Sequence, residues 1–211
     1  MTGVELRFAA VTCRYGGATA VDAVDLVVAP GQKVALTGAN GSGKTTLLRA
    51  VLGLHPLAAG TVTVDGTSAL SARDWTRRRQ VVAWMPQRLT PGRFPMLVEE
   101  VLDSSGHPEA ARHAAREVGV DALHRRPLGS LSGGQLQRVF LARAVACVEA
   151  GAGALLADEP SAALDFAGQE QVAALLVALP ATVVVVSHDR TVTSACDRVA
   201  EMAAGRLREA S

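Results

Sequence analysis

The stretch "QKVALTGANGSGKTTLLRAVLG", residues 32–53, decides the fold. It opens with a short apolar run ending on Gly38, the texture of a strand buried on both faces. It closes with "KTTLLRAVLG" (44–53), which reads as a helix stopped by Gly53. Between them "GANGSGKT" (38–45) satisfies G-x-x-x-x-G-K-[ST] in the strand-to-helix setting that a phosphate-binding loop requires. Its glycines let successive N–H groups turn inward around a phosphate, and the helix N-terminus adds its dipole. Lys44 is placed to reach the β- and γ-phosphate oxygens, and Thr45 to offer its hydroxyl to Mg²⁺. Gly38, Ala39, Asn40, Gly41, Ser42, Gly43, Lys44, Thr45 and Thr46 are therefore candidate ATP-binding residues.

Downstream runs extend the same architecture. "GALLADEP" (153–160) and "ATVVVVSHD" (181–189) read as apolar strands, with a helix over about 166–179 between them. That βαβ order implies a parallel sheet. Strand C-terminal edges are where such a sheet presents ligand groups. Asp158 is placed there to hold Mg²⁺, and Glu159 to polarise a water for in-line attack on a γ-phosphate. His188 ends the other strand, and Gln87 ends the strand-like "QVVAWMPQ" (80–87). By themselves these last two carry no assignment.

The 211 residues suffice for one domain with a sizeable core, and the composition (49% hydrophobic, 19% charged) is that of a globular chain. A net charge of +1 argues against the broad basic face of a duplex-binding protein, and no nucleic-acid partner is expected. The basic runs "TRRRQ" (76–80) and "HRRP" (124–127) are expected to be solvated helix ends. Cys13, Cys147 and Cys196 are odd in number and widely spaced, which fits reduced thiols with packing roles. No basic-then-apolar leader is visible, and the most apolar stretch (172–187) is broken by Pro180 and Thr182. The chain is not expected to span a membrane.

Residues 4–28 alternate apolar and polar, as short antiparallel strands do, and "GTVTVDG" (60–66) is another strand closed by a turn. From about 88 to 130 the texture turns helical, in "MLVEEVLDSSG" and "PEAARHAAREVG". This part is expected to be a small helical lobe inserted into the α/β core. It leads to "LSGGQLQRVFLARAV" (131–145), whose two glycines at the start of a helix carry a stability cost and no acid, base or metal ligand.

In this order, Tyr15, "GANGSGKTT", Gln87, "LSGGQ", "LLADEP", "SAALD" and "VSHD" resemble the nucleotide-binding subunit of an ABC transporter over nearly the whole chain. "LSGGQ" between the phosphate loop and the two-acid strand is the most specific of these. The resemblance implies a P-loop NTPase with a RecA-like α/β core, an N-terminal antiparallel β subdomain and an inserted small α-helical subdomain. Its division would be 1–87 and 133–211 for the core with its β subdomain, and about 88–132 for the helical part with the signature. It also implies roles. Tyr15 would stack on adenine. Gln87 would contact Mg²⁺ and the attacking water and sense the membrane partner. His188 would hold the γ-phosphate and position the water of Glu159. Asp165 would reach across to another subunit. Ser132, Gly133, Gly134 and Gln135 would cap ATP bound to a second copy, so that a head-to-tail dimer, expected as a homodimer, encloses two ATP molecules. Lys44, Gln87, Glu159 and His188 would carry catalysis, and Thr45, Gln87 and Asp158 would hold the metal.

The same resemblance places the chain on the cytoplasmic face of a membrane, bound to permease subunits and served by an extracytoplasmic solute-binding protein. The short insertion is similar to minimal importer subunits, and "VVAWMPQRLTPGRFPMLVEEVL" (81–102) resembles zinc and manganese importer ATPases. An importer for another small solute, or an ABC ATPase acting on a non-transport assembly, are the alternatives. Segment 88–100, with Phe94, is expected to line a groove for a cytoplasmic helix of the permease.

Overall fold

The computed structural model describes residues 3–87 and 96–209. The chain begins with a hairpin, β1 (Leu6–Tyr15) and β2 (Ala18–Val28), then enters the core strand β3 (Lys33–Thr37) and helix α1 (Lys44–Val51). It returns through β4 (Ala59–Val64), β5 (Thr67–Ser68), α2 (Ala72–Val81) and β6 (Val82–Met85). A helical part follows: α3 (Val98–Asp103), α4 (Pro108–Glu117), two 3-10 turns and the long helix α5 (Gly133–Glu149). The core closes with β7 (Ala154–Asp158), α6 (Phe166–Ala178), β8 (Thr182–Val186), α7 (Arg190–Ser194) and the hairpin β9 (Arg198–Ala203) and β10 (Arg206–Glu209).

Two sheets result. One is antiparallel, in the order β2-β1-β4-β5; the other runs β10-β9-β3-β8-β7-β6 and is parallel from β9 to β6. The parallel strands are buried on both faces, and their alternation shows how. Val34, Leu36, Leu156, Val184 and Val186 pack toward α1 and the antiparallel sheet. Ala35, Leu155, Ala157, Val183 and Val185 pack toward α5, α6 and the helical part. One strand therefore serves two cores, because successive side chains point to opposite faces. The expected α/β architecture with an N-terminal antiparallel sheet is what forms. Its first two strands are 10 and 11 residues long rather than short.

Two elements depart from the sequence expectations. Helix α2 occupies 72–81, so the strand expected over 80–87 is confined to Val82–Met85. Ser71 and Asp74 form a reciprocal capping box at its start, a signal present as S-x-x-D. The basic run 76–80 lies inside this helix, and Arg78 is buried at 5% exposure rather than solvated. Its guanidinium donates to the carbonyls of Val51, Val62 and Thr67 at 3.4, 3.2 and 2.6 Å and lies 5.2 Å from the Trp75 ring centroid. Arg79 donates to Leu52 O at 3.3 Å. Two cations thus meet the last carbonyls of α1, where the helix dipole favours them. Arg78→Ala is expected to lower stability by about 2–4 kcal/mol, since three buried carbonyls lose their donor together. Arg78→Lys should recover only part, because one ammonium cannot span the fork. Thermal and urea unfolding read both.

The thiols of Cys13, Cys147 and Cys196 are free, and burial raises all three, Cys196 to about 11. They are packing residues, as expected.

Candidate active site

Gly38 ends β3 with φ 124, and a Cβ there would collide with the backbone carbonyl of Met202, so only glycine fits. Gly43, also left-handed at φ 106, starts α1 without a side-chain cap. The first N–H groups of α1 therefore have no intrahelical acceptor and face the loop. The turn of the last hairpin braces the loop from outside: Gly205 N–H donates to Ser42 O at 3.1 Å, and Gly205 O accepts from Asp22 N–H at 2.8 Å. Lys44 is 6% exposed; its ammonium donates to Gly38 O, Ala39 O and Ser42 Oγ. Burial lowers its pKa, and the charges of Glu159 and Asp158 oppose that shift.

Across the loop, the end of β7 delivers two acids. Thr45 Oγ1 donates to Asp158 Oδ2 at 2.7 Å, while Asp158 Oδ1 is buried with no partner. Burial raises the Asp158 pKa; the Thr45 hydrogen bond, Arg49 and Lys44 pull it down. An orphaned carboxylate oxygen beside a hydroxyl fits Mg²⁺, which takes one or two carboxylates and completes its shell with waters and substrate phosphates. Among the described residues no group of three or more His, Cys, Asp or Glu is gathered.

Glu159 adopts φ 55, unusual for a side-chain-bearing residue, immediately after the strand. Its carboxylate lies 3.5 Å from His188 Nε2, which emerges half-exposed from the end of β8. Burial raises the Glu159 pKa; the His188 charge and backbone N–H lower it, Asp158 raises it further, and Lys44 lowers it. Tyr15, residues 40–46 of the phosphate loop and α1, Gln87, Asp158 and Glu159 line one cleft of about 520 Å³, which Gly38 and Ala39 do not line. Tyr15 is half-exposed at its rim, its ring 4.4 Å from that of His55.

Ser132, Gly133, Gly134, Gln135 and Asp165 are brought together elsewhere, in a second cleft of about 560 Å³ that shares no lining residue with the first. Ser132 caps α5: its Oγ accepts from Gln135 N–H at 3.2 Å, and Gln135 Oε1 accepts from Ser132 N–H at 3.0 Å. Gly134 packs so closely on the 161–165 loop that a Cβ would sit 3.1 Å from Ala163 O. That contact supplies a steric reason for its lack of a side chain. Asp165 caps α6, accepting from Gly168 N–H at 3.0 Å. Asp189, to which the sequence assigns no function, accepts from Ser161 Oγ and Thr191 N–H and holds α7 in place. Phe94 and Pro95 lie outside the described residues.

Two neighbours of the site carried no signal in the sequence. His55 is buried beneath Tyr15 with its Nε2 unpartnered. Gln137, buried in α5, donates from Nε2 to Glu159 O at 2.6 Å.

The model of the family described as ABC transporter matches residues 21–162. The zinc import ATP-binding protein ZnuC of Pseudomonas aeruginosa is 38% identical over 207 residues, covering 94% of this chain and 71% of the relative. The Fe(3+) ions import ATP-binding protein FbpC of Streptomyces avermitilis is 38% identical over 212 residues, covering 96% and 61%. The manganese transport system ATP-binding protein MntB of Listeria innocua is 36% identical over 199 residues, covering 85% and 78%. Among solved structures, the dimeric cassette MJ0796, described as a bacterial ABC transporter cassette, superimposes with a TM-score of 0.87 at 27% identity. It covers 97% of this chain and 98% of that one.

Proposed function

We propose, because the chain belongs to the ABC transporter family, that it hydrolyses ATP to power solute import through a separate membrane permease. One observation carries the chemistry. The end of β7 sets Asp158 and Glu159 in the cleft of a phosphate loop whose threonine is bonded to Asp158, and the end of β8 holds His188 3.5 Å from Glu159.

The loop N–H groups and Lys44 bind the β- and γ-phosphates, and Tyr15 stacks on adenine. Thr45 and Asp158 would hold Mg²⁺, and Gln87 would contact it and the attacking water; the ion would neutralise charge developing on the phosphate oxygens. Glu159 accepts the proton of that water as its oxygen bonds to the γ-phosphorus and the β–γ bridge breaks, leaving ADP and phosphate. His188 orients Glu159 and the γ-phosphate. Ser132, Gly133, Gly134 and Gln135 cap ATP on a second copy, and Asp165 lies at the same seam. The core comprises 1–87 and 133–211, and the helical subdomain about 88–132.

No helix among the described residues is long and apolar enough to cross a membrane. We place the subunit on the cytoplasmic face of the membrane, docked through the 88–100 segment to permease subunits, with an extracytoplasmic binding protein delivering the solute. Relatives named for zinc, Fe(3+) and manganese are similar to this chain at 36–38% identity. That supports a transition-metal ion as cargo, selected by the permease and not by this subunit.

Purified protein with Mg²⁺ and ATP should release phosphate, and EDTA should stop it. Lys44→Ala should reduce the rate by about 10²-fold or more, having lost the cation on the transferring group. Wild-type protein inert at concentrations where it self-associates, or an unimpaired Lys44→Ala, would overturn the assignment.

A further inference from the structure

We infer that Gln137 is a positioning residue that couples two nucleotide sites, tying the helix that carries Ser132 to the backbone of Glu159 by one hydrogen bond. The inference rests on the ATPase assignment above and on three observations.

The first is the conformation of Glu159. A left-handed backbone at a residue with a side chain persists only where its surroundings hold it. Here the N–H of Glu159 donates to Val186 O at 2.8 Å, and its carbonyl accepts from Gln137 Nε2 at 2.6 Å and from Ala162 N–H at 3.3 Å. The Gln137 bond is the shorter of the two to that carbonyl and, among the described residues, the only one from outside the loop. Held at its N–H by Val186 O and at its carbonyl by Gln137, the Glu159 Cα is fixed in the orientation from which its carboxylate reaches His188, 3.5 Å off.

The second is where Gln137 stands. It lies in the second turn of α5, buried at 6% exposure, five positions after the N-cap Ser132. At about 1.5 Å of rise per residue the two are roughly 8 Å apart along one helix. A helical turn is rigid on that scale, so a shift of the N-terminus of α5 reaches the carbonyl of Glu159 undamped.

The third is the separation of the two clefts. Ser132, Gly133 and Gly134 line one, Glu159 lines the other, and no residue is common to both. A phosphate seated at the start of α5 is not the phosphate that Glu159 acts on. Capture of one ATP by the signature end of a subunit therefore sets the base for the other ATP, held in that same subunit's phosphate loop. Among the described residues no other hydrogen bond runs from α5 to the backbone of Glu159.

Two substitutions test this. Gln137→Leu keeps the shape and removes the donor. It should lower kcat about tenfold, the consequence of losing one buried hydrogen bond, with KM for ATP within about twofold of wild type. The Hill coefficient in ATP should fall toward one. Gln137→Glu donates only when protonated, so its kcat relative to wild type should rise as pH falls, whereas the Gln137→Leu ratio stays flat. Unfolding midpoints of both variants separate a positioning effect from a loss of folded protein. A Gln137→Leu variant with wild-type kcat and cooperativity overturns the proposal. So does a pH-independent Gln137→Glu ratio, or a loss of activity that follows the folded fraction. Wild-type protein without ATPase activity would instead overturn the underlying assignment, and this inference with it.

Discussion

Replacing Glu159 by Gln is expected to slow phosphate release about 10²–10⁴-fold, the usual worth of a positioned general base, while ATP binding is retained. Glutamine preserves the shape of the carboxylate that lies 3.5 Å from His188 but cannot accept the proton of the attacking water. On the proposed head-to-tail arrangement hydrolysis would open the ATP-bridged pair, so the variant should elute as a dimer when ATP is present. Its stability should move the other way from its activity. Burial raises the Glu159 pKa above its ordinary 4.5, so the folded chain holds this proton more tightly than the unfolded chain. Below that ordinary value both states are protonated and nothing is lost. As pH rises, the unfolded state ionises first, and the folded state loses stability across the window up to its raised pKa. Gln has no such loss. The melting temperature of Glu159→Gln minus that of wild type should therefore grow from acid toward neutral pH, without nucleotide. Single-turnover phosphate release and melting curves across pH read both halves. A variant that hydrolyses at the wild-type rate would place the base elsewhere.

A mixture of two dead proteins should regain activity. Lys44→Ala disables a chain's own phosphate loop, and Ser132→Arg disables the signature it offers to a partner. Each variant alone should show under about 1% of the wild-type rate, since neither homodimer holds an intact site. Mixed one to one, half the dimers are heterodimers with one intact site of two, so up to about a quarter of the wild-type rate should return, and less where the disabled signature of the chain holding that site leaves its Glu159 unset. Ser132 lies in a cleft that Lys44 does not line, which is why the two losses complement instead of adding. Steady-state ATPase of the mixture, over a series of protein concentrations, provides the measurement. The head-to-tail dimer is excluded if Ser132→Arg alone keeps wild-type activity, or if hydrolysis per chain is independent of concentration.

The parallel core was legible because two signals coincided: apolar runs too short for helices, and acids or glycines at their ends. "KVALT", "ALLAD" and "TVVVV" are β3, β7 and β8 over residues the reading placed in strands. The phosphate loop and the paired acids were legible for the same reason. Helix α2 was not, since "ARDWTRRRQV" has little apolar periodicity and is held by a capping box and by the burial of Arg78, which no hydropathy pattern announces. The last hairpin, "RVAEMA" with "RLRE", is short and mixed in polarity, and its role depends on a loop more than 160 positions earlier. Gln137 and His55 were illegible for a related reason. Each matters through one contact with a residue distant in the chain, at Glu159 O and at the Tyr15 ring.

That last hairpin bears on the order in which the protein is made. Synthesis proceeds from the N-terminus, and domains acquire structure as they emerge. The phosphate loop leaves the ribosome early, yet the strand that carries it, β3, is flanked by β8 and β9, and its loop is braced by Gly205. None of these partners exists until nearly the whole of these 211 residues has been translated. A nascent chain stalled before β8 would display the complete loop motif without the strands that flank β3 or the glycine that braces the loop.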